Sequence, residues 1–353
     1  MSPIVFYATT LIVFFFDFNI LTWGLNIQFG YTGILNFAFI VFMAIGAYVS
    51  GVFALPPANG ISGQTYVLGV SWPFPLTLLM GGLAAALLGF FVGLIALKRL
   101  RSDYMAIVTV AVGAIAYDFI GNVTGLFNGW DGLGGVPQPL ETRFNIDFNT
   151  YQFVYLAIAG VITLALWWLA NRIYASPFGR TLRSIREDQD VSEAFGKNTF
   201  KYRMIAMIIG CFYAGIAGGI LIFFTTAINP SGWTTGETFV IWTALLIGGT
   251  GNNWGAMLGA LLVPVGFQEA TRFLPQISDN PDLIPALRNI IVGTLLILVL
   301  WFRPQGILPE RKARFNLFRV PLQGAPPEVR APRSSAPAAP SAPAMEDPNV
   351  AAD

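Results

Sequence analysis

The chain has 353 residues, of which 55% are hydrophobic and 11% are charged, and its mean hydropathy is +0.62. Soluble domains carry about 25% charged residues, so this composition indicates a polytopic membrane protein. The net charge of +1 argues against a nucleic-acid partner, the absence of histidine removes the usual metal ligand and general base, and the single Cys211 cannot form an internal disulfide.

Apolar stretches recur along the chain at the length of a membrane-crossing helix, which is roughly 20 residues. They predict an all-α, polytopic membrane bundle of about 8 to 10 transmembrane helices. The predicted spans cover residues 4–25, 32–55, 74–97, 104–127, 151–171, 204–227, 236–249, 255–273 and 284–302. The first stretch lacks a basic leader and a cleavage site, so we expect a retained span. The 236–273 region is open to two interpretations, two full spans or a re-entrant pair.

Several polar side chains fall inside the predicted spans. Candidates for the translocation pathway are Asn26, Gln28 and Asn36 around the turn Gly30–Gly33, with Asp118 and Asn122 one turn apart in the fourth span. A carboxylate at the bilayer centre costs on the order of 3 kcal/mol, so it normally faces a cavity or a partner. The alternative is a buried structural hydrogen bond, and the sequence leaves both open.

The loop that begins at Asn128 is rich in glycine and proline as far as Pro137, and it contains Asp131. This composition predicts a tight, non-helical backbone. Irregular backbone near a membrane surface is tolerated where it lines a watery vestibule, which makes Asp131 a further pathway candidate. A plain turn is the alternative.

One densely charged segment, residues 176–196, interrupts the apolar pattern. Ser176 and Pro177 form a helix-start signal, and Gly196 supplies a stop. Phe178, Leu182 and Ile185 share one helical face, so we expect a short amphipathic helix at the membrane surface. It is either an ordinary solvated loop or a docking helix for a peripheral partner.

The glycine-rich stretch Gly248–Gly255 is not a phosphate-binding loop, because no Gly-Lys-Ser/Thr occurs in the chain. We therefore expect no nucleotide site and no bound cofactor. Three glycine pairs have the spacing that lets helices approach closely, and we interpret them as packing contacts. They are Gly89 with Gly93, Gly215 with Gly219, and Gly255 with Gly259.

Lysine and arginine concentrate near 98–101, between Arg172 and Arg203, and from Arg303 to Arg319. Positive residues favour the cytoplasmic side, so these regions and the C-terminus are predicted to be cytoplasmic. We divide the chain into a transmembrane domain, residues 1–310, whose charged loop spans about 175–203, and a disordered Pro/Ala-rich tail, residues 321–353.

Four stretches together resemble the permease subunits of branched-chain amino-acid ABC importers, the LivM-type family. They are Gly24–Gly33 running on to Tyr48, Leu100–Thr109 with Trp130–Pro137, the 176–196 segment, and Gly248–Gly255 with the ending Phe302–Leu308. These stretches span residues 24–308 in the family's order. One departure follows the Gly-Tyr-x-Gly turn, where the family often has Ser-Leu-Gly-His and this chain has Asn36 to Phe39.

The resemblance implies a multi-pass protein of a bacterial or archaeal inner membrane. It implies a second homologous permease, two ABC ATPase subunits that bind ATP and Mg, and an extracytoplasmic solute-binding protein as partners. It also implies that the charged segment is the ATPase-coupling helix. The coupling residues would be Arg183, Arg186, Glu187, Glu193, Ala194 and Gly196.

We expect a permease without catalysis of its own, which carries branched-chain or hydrophobic amino acids. A permease for urea or short amides is the first alternative. An ion-coupled secondary transporter is the second, but it would need titratable residues along its path, and the chain offers few.

Overall fold

The computed structural model of the chain describes residues 3–58, 63–99, 102–140, 148–272 and 283–310. Within these ranges the regular structure is helical, apart from isolated β-bridges that join Tyr66 to Phe127 and Leu133 to Ile228. The prediction of an all-α bundle is confirmed. The predicted tail, residues 321–353, lies outside the described residues.

Among the described residues, five helices are long and apolar enough to cross a membrane. The α-helices are α1 Pro3–Leu25, α2 Phe39–Ala54, α3 Phe74–Arg99, α4 Ser102–Asn122, α5 Thr124–Phe127, α6 Phe148–Ala175, α7 Pro177–Glu187, α8 Gln189–Ala194, α9 Thr199–Thr225, α10 Thr235–Gly248, α11 Asn253–Ala260, α12 Gln268–Arg272 and α13 Leu283–Phe302. Two π-helical stretches, Asn26–Gly30 and Leu261–Phe267, extend α1 and α11. Short 3₁₀ turns occur at Gly129–Asp131 and Pro230–Gly232.

Most predicted spans coincide with observed helices, but two boundaries were wrong. The predicted span 32–55 begins too early, because the backbone leaves the helix after Thr32 and α2 begins at Phe39. Gly33 adopts a φ of 71°, a conformation that favours glycine and ends the helix. The predicted span 104–127 ends too late, because α4 ends at Asn122.

The 253–272 region runs alongside the first membrane-crossing helix, which favours a full span over one arm of a re-entrant pair. At its start, the Gly251 N–H donates to Asn26 Oδ1 over 2.8 Å, and near its end Glu269 accepts from the Tyr7 hydroxyl over 2.6 Å. Tyr7 and Asn26 lie at opposite ends of the first membrane-crossing helix, so this segment runs along its whole length. Pro264 lies in the π-helical stretch, where it removes a backbone donor from the helix.

Small residues bring α2, α3 and α9 into close contact at the centre of the bundle. A methyl group added at Gly46 would overlap the backbone of Gly215, and one at Gly89 would lie 2.8 Å from the Cβ of Cys211. Such approaches are typical of membrane helices, where small residues let backbones pack directly. The interpretation of Gly89 and Gly215 as packing residues is therefore confirmed.

The parts of the three basic regions that the structure describes meet at one end of the bundle, which we call the α7 end. The end of α3 lies beside the start of α9, because a Cβ on Gly93 would be 2.8 Å from the Met204 sulfur. After α13, the Leu308 N–H donates to the Gly248 carbonyl over 2.9 Å and so brings the chain back to the same end.

Candidate functional site

The charged segment begins as its sequence predicted. The Ser176 side chain accepts a hydrogen bond from the Gly179 N–H over 3.1 Å, and Pro177 occupies the first turn of α7. Leu182 and Ile185 are buried, and Phe178 stacks on Tyr202 at 5.7 Å. The amphipathic face predicted from these apolar positions is therefore confirmed, and it anchors α7 on the bundle.

The prediction of one helix that continues to Gly196 was wrong, because the segment breaks at Asp188. That residue has an extended backbone, with φ −155° and ψ 114°, and its carboxylate accepts from the Val191 N–H over 3.0 Å. Aspartate in this role caps a new helix, so α8 starts in a new direction. Gly196 ends α8 with a φ of 75°, as expected of a glycine stop. We use the name coupling segment for residues 177–196, which comprise α7 and α8.

Arg186 connects the coupling segment to two distant parts of the chain. Its guanidinium donates to the Gly30 carbonyl and pairs with the Glu310 carboxylate. Only 26% of the Arg186 side chain and 16% of the Glu310 side chain are exposed, so the pair is well shielded from water. Arg183 adds a longer contact to Glu310 at 3.8 Å and lies over the Tyr174 ring at 4.2 Å.

The remaining predicted coupling residues lie on the surface of the segment. Glu187, Glu193, Ala194 and Gly196 are all exposed. Glu193 also binds within the chain, since hydrogen bonds from the Thr199 hydroxyl and the Gln189 amide hold the pKa of its carboxyl below the ordinary value. Two apolar side chains stand out on the same surface, Val191 at 50% and Phe195 at 79% exposure.

The polar residues near the first turn lie where the first helical crossing ends, in the π-helical stretch and the turn after it, and we call residues 26–38 the helix break. Gln28 donates to the Met207 carbonyl over 3.0 Å and accepts from Asn36 over 2.9 Å. Asn36 in turn accepts from the Ala38 N–H over 3.1 Å, and its own carbonyl accepts from the Trp242 indole. These fully buried side chains provide hydrogen-bond partners for backbone and side-chain groups that the break would otherwise leave unpaired.

Asn253 is the centre of a second buried network beside the helix break. Its Oδ1 accepts from Asn26 over 3.0 Å and from the Tyr31 hydroxyl over 2.6 Å, and its amide donates to Asn171 over 2.9 Å. The Trp23 indole donates to its backbone carbonyl over 3.0 Å. Sequence reasoning missed this residue, although it lies in the Gly248–Gly255 stretch that carried the resemblance.

That glycine-rich stretch pairs with the segment after α13. The Ile307 N–H donates to the Ile247 carbonyl over 2.8 Å, next to the bond between Leu308 and Gly248. Gly249 has a φ of 124° and packs so closely that an added methyl group would overlap the Leu308 carbonyl. Three of the four family-like stretches therefore meet at the α7 end, with Arg186 among them.

The other pathway candidates lie apart from this cluster. Asp118 and Asn122 are exposed on α4, and the Asn122 amide donates to the Asp118 carbonyl over 2.8 Å. Asp131 is exposed at the opposite end, where it borders a cavity of about 610 Å³ together with Gln64 and Asn128. The irregular 128–134 backbone thus lines an open vestibule, as one of its two interpretations predicted.

Sequence comparisons agree with this arrangement. The family described as "Branched-chain amino acid transport system / permease component" matches residues 7–300. The chain is 29% identical to the high-affinity branched-chain amino acid transport system permease protein LivM of Escherichia coli K12, over 84% of this chain and 69% of that protein. It is 25% identical to the probable LivM of Methanocaldococcus jannaschii, over 85% and 93% of the two chains.

LivH of Escherichia coli K12, another permease protein of the high-affinity system, is 28% identical over 81% of this chain and 89% of its own length. No solved structure shows a significant match. The family pattern covers most of the chain, including the helix break, the coupling segment and the glycine-rich stretch. The chain therefore belongs to the family of branched-chain amino acid transport system permease components.

Proposed function

We propose that this chain is the permease subunit of an ATP-binding-cassette importer that moves branched-chain and other hydrophobic amino acids across a bacterial or archaeal inner membrane. The observation that carries this proposal is the position of Arg186. One side chain of the coupling segment holds both the carbonyl at the helix break and the segment that follows the last span. A displacement of the coupling segment would therefore reach the interior of the bundle directly.

In this mechanism the free energy for transport comes from ATP hydrolysis by a partner subunit. A cytoplasmic ATPase subunit contacts the end of the coupling segment, where the exposed side chains of Val191 on α8 and of Phe195 directly after it present an apolar surface. ATP and Mg are held by that subunit, because this chain contains no phosphate-binding loop. Only a partner that binds one conformation better than another can shift the equilibrium between outward-open and inward-open states.

The positive-inside rule supports a cytoplasmic position for the α7 end and for the C-terminus. The opposite end, with its vestibule beside Asp131, would then receive the amino acid from an extracytoplasmic solute-binding protein. A second, homologous permease would complete the membrane unit, and two ATPase copies would serve the pair. The names of LivM and LivH support branched-chain amino acids as the cargo.

The test is uptake of labelled leucine by the assembled transporter in proteoliposomes, with ATP inside the vesicles. We expect uptake that stops when ATP is omitted and continues when ionophores collapse the proton and sodium gradients. Uptake that follows the ion gradients instead would refute the proposal in favour of a secondary transporter. Uptake of urea or acetamide, with none of leucine, would refute the assignment of the cargo.

A further inference from the structure

Asp17 is the one fully buried acidic residue among those that the structure describes, with 2% of its surface exposed. It lies close to the middle of the 28-residue apolar helix Pro3–Gly30. At 1.5 Å per residue, this position is near the centre of a bilayer that the helix crosses. An acid at this depth is expected to face a cavity or a partner.

Within the described part of the chain, Asp17 Oδ1 has no hydrogen-bond partner. Tyr155 is close enough to interact electrostatically, but its hydroxyl donates to the Ile220 carbonyl over 2.5 Å and is not available. No lysine or arginine occurs in residues 1–97, and Asp17 takes part in none of the described ion pairs. A buried carboxyl without a counter-charge is costly to ionise, so a cationic ligand that supplies the counter-charge would stabilise its carboxylate form.

A cavity of about 710 Å³ lies at the end of the bundle opposite α7, and Asp17 itself is not part of its lining. From α1 it is lined by Phe6, Thr10 and Phe14. Asp17 follows Thr10 and Phe14 at the i, i+4, i+7 spacing, so the three residues share one helical face. Asp17 therefore lies one turn below the cavity wall.

The facing helix contributes a second acceptor. Gln152 of α6 lines the same cavity and is 5% exposed, and its Oε1 has no donor among the described residues. One turn further along α6, Tyr155 packs on Phe224 at 5.5 Å, and Phe14 packs on the same ring at 6.0 Å. The buried carboxyl of Asp17 thus lies behind the aromatic wall of the cavity, next to Tyr155, where α1, α6 and α9 meet.

We propose that Asp17 and Gln152 bind the ammonium group of the transported amino acid, and that the aromatic wall of the cavity takes its aliphatic side chain. An ammonium group offers three donors and no acceptor, which suits two buried oxygens that lack donors. A carboxylate favours this charged group over a neutral amide such as urea. The inference rests on the proposed function for the identity of the cargo, but the charge preference of the site is independent of it.

The charge preference is tested by labelling a cysteine in the cavity. Thr10→Cys places a thiol in its wall, while the native Cys211 is fully buried and gives a low background. For each variant we measure the rate of labelling by a cationic methanethiosulfonate reagent divided by the rate for an anionic one. We expect this ratio to be at least about tenfold higher in Thr10→Cys than in the Thr10→Cys, Asp17→Asn double variant. Equal ratios in the two variants would overturn the proposal.

Transport provides the second measurement, on the assembled transporter in proteoliposomes. Asp17→Asn should assemble with its partners and hydrolyse ATP, yet its leucine uptake should fall by about tenfold or more, and Asp17→Glu should recover part of it. Uptake by Asp17→Asn within about twofold of the wild type would also overturn the proposal. If Asp17→Asn does not assemble, leucine should still slow the labelling of Thr10→Cys, and a lack of protection would refute the site.

Failure of the site and failure of the proposed function give different results. A wild-type transporter that takes up no leucine with ATP contradicts the proposed function, whatever the labelling ratios are. If the wild type takes up leucine but the labelling ratio is the same with and without the Asp17 carboxylate, only the ammonium site is contradicted.

Discussion

At the scale of single residues, Asn253 shows how much of the interior depends on one amide. Both polar atoms of its side chain form hydrogen bonds: Oδ1 accepts from two donors, and the amide nitrogen donates to Asn171. It is 4% exposed, so water cannot replace a lost partner. In the bilayer interior such hydrogen bonds join helices that gain little from the hydrophobic effect.

We therefore predict that Asn253→Ala lowers the free energy of unfolding by about 2 kcal/mol, because it leaves the Asn26 amide and the Tyr31 hydroxyl without an acceptor. Asn122→Ala is the matched control, since the Asn122 side chain is exposed and bonds only its own helix. Thermal unfolding in detergent measures both. Equal stability of the two variants would show that the network contributes nothing.

The residues of this network explain part of what the sequence could not reveal. Asn26, Gln28 and Asn36 were identified from their polarity at membrane depth, which is visible in the sequence. Their partners were not, because hydrogen bonds such as the one between Asn26 and Asn253 join residues more than two hundred positions apart. The oxygens of Asp17 and Gln152 that lack donors become apparent only once α1 and α6 are placed side by side.

At the scale of elements, the coupling segment divides its residues between two tasks. Arg183 and Arg186 point to the bundle and hold Glu310, whereas the surface of α8 is left for a partner. Apolar anchors that are exposed in the free subunit often contribute most to a protein interface. Phe195, the residue directly after α8, is the largest such side chain on this surface, at 79% exposure.

We predict that Phe195→Ala weakens association with the ATPase subunit by about tenfold or more and leaves the stability of the isolated chain unchanged. Leu182→Ala is the contrasting variant, since Leu182 is fully buried and its truncation should cost about 2–4 kcal/mol of stability. Co-purification and thermal unfolding together separate the two effects. Normal ATPase binding by Phe195→Ala would contradict this view of α8.

The elements also show where sequence patterns are strong. Long apolar helices such as α3 and α9 were predicted almost to their ends, because length and hydropathy determine a membrane crossing. The helix breaks at Asp188 and between Thr32 and Phe39 were not predicted. Both depend on which side chain caps which backbone group, and several residues in each stretch could have done so.

At the scale of the whole molecule, the segment after the last span closes the α7 end. Residues 303–310 bond to Ile247 and Gly248 through the backbone and to Arg186 through Glu310. This segment is short, but it joins α13 to both the glycine-rich stretch and the coupling segment. The 321–353 tail lies outside the described residues, and its role stays a prediction from composition.

We predict that a chain truncated after Arg319 keeps leucine uptake within about twofold of the wild type, whereas a chain truncated after Phe302 loses at least about tenfold. Glu310→Gln tests the charge alone and should fall between the two, because the backbone bonds of Ile307 and Leu308 remain. Uptake and co-purification of the three variants decide the matter. A fully active chain that ends at Phe302 would show that this segment has no role.

The glycine contacts among α2, α3 and α9 have a mechanical consequence. Where backbone touches backbone, as at Gly46 and Gly215, one helix cannot slide or roll over its neighbour without steric overlap. These three helices should thus behave as a stator that keeps its shape throughout the transport cycle. The moving parts would then be the surrounding helices without such backbone contacts, α6 foremost, tilting against a fixed centre.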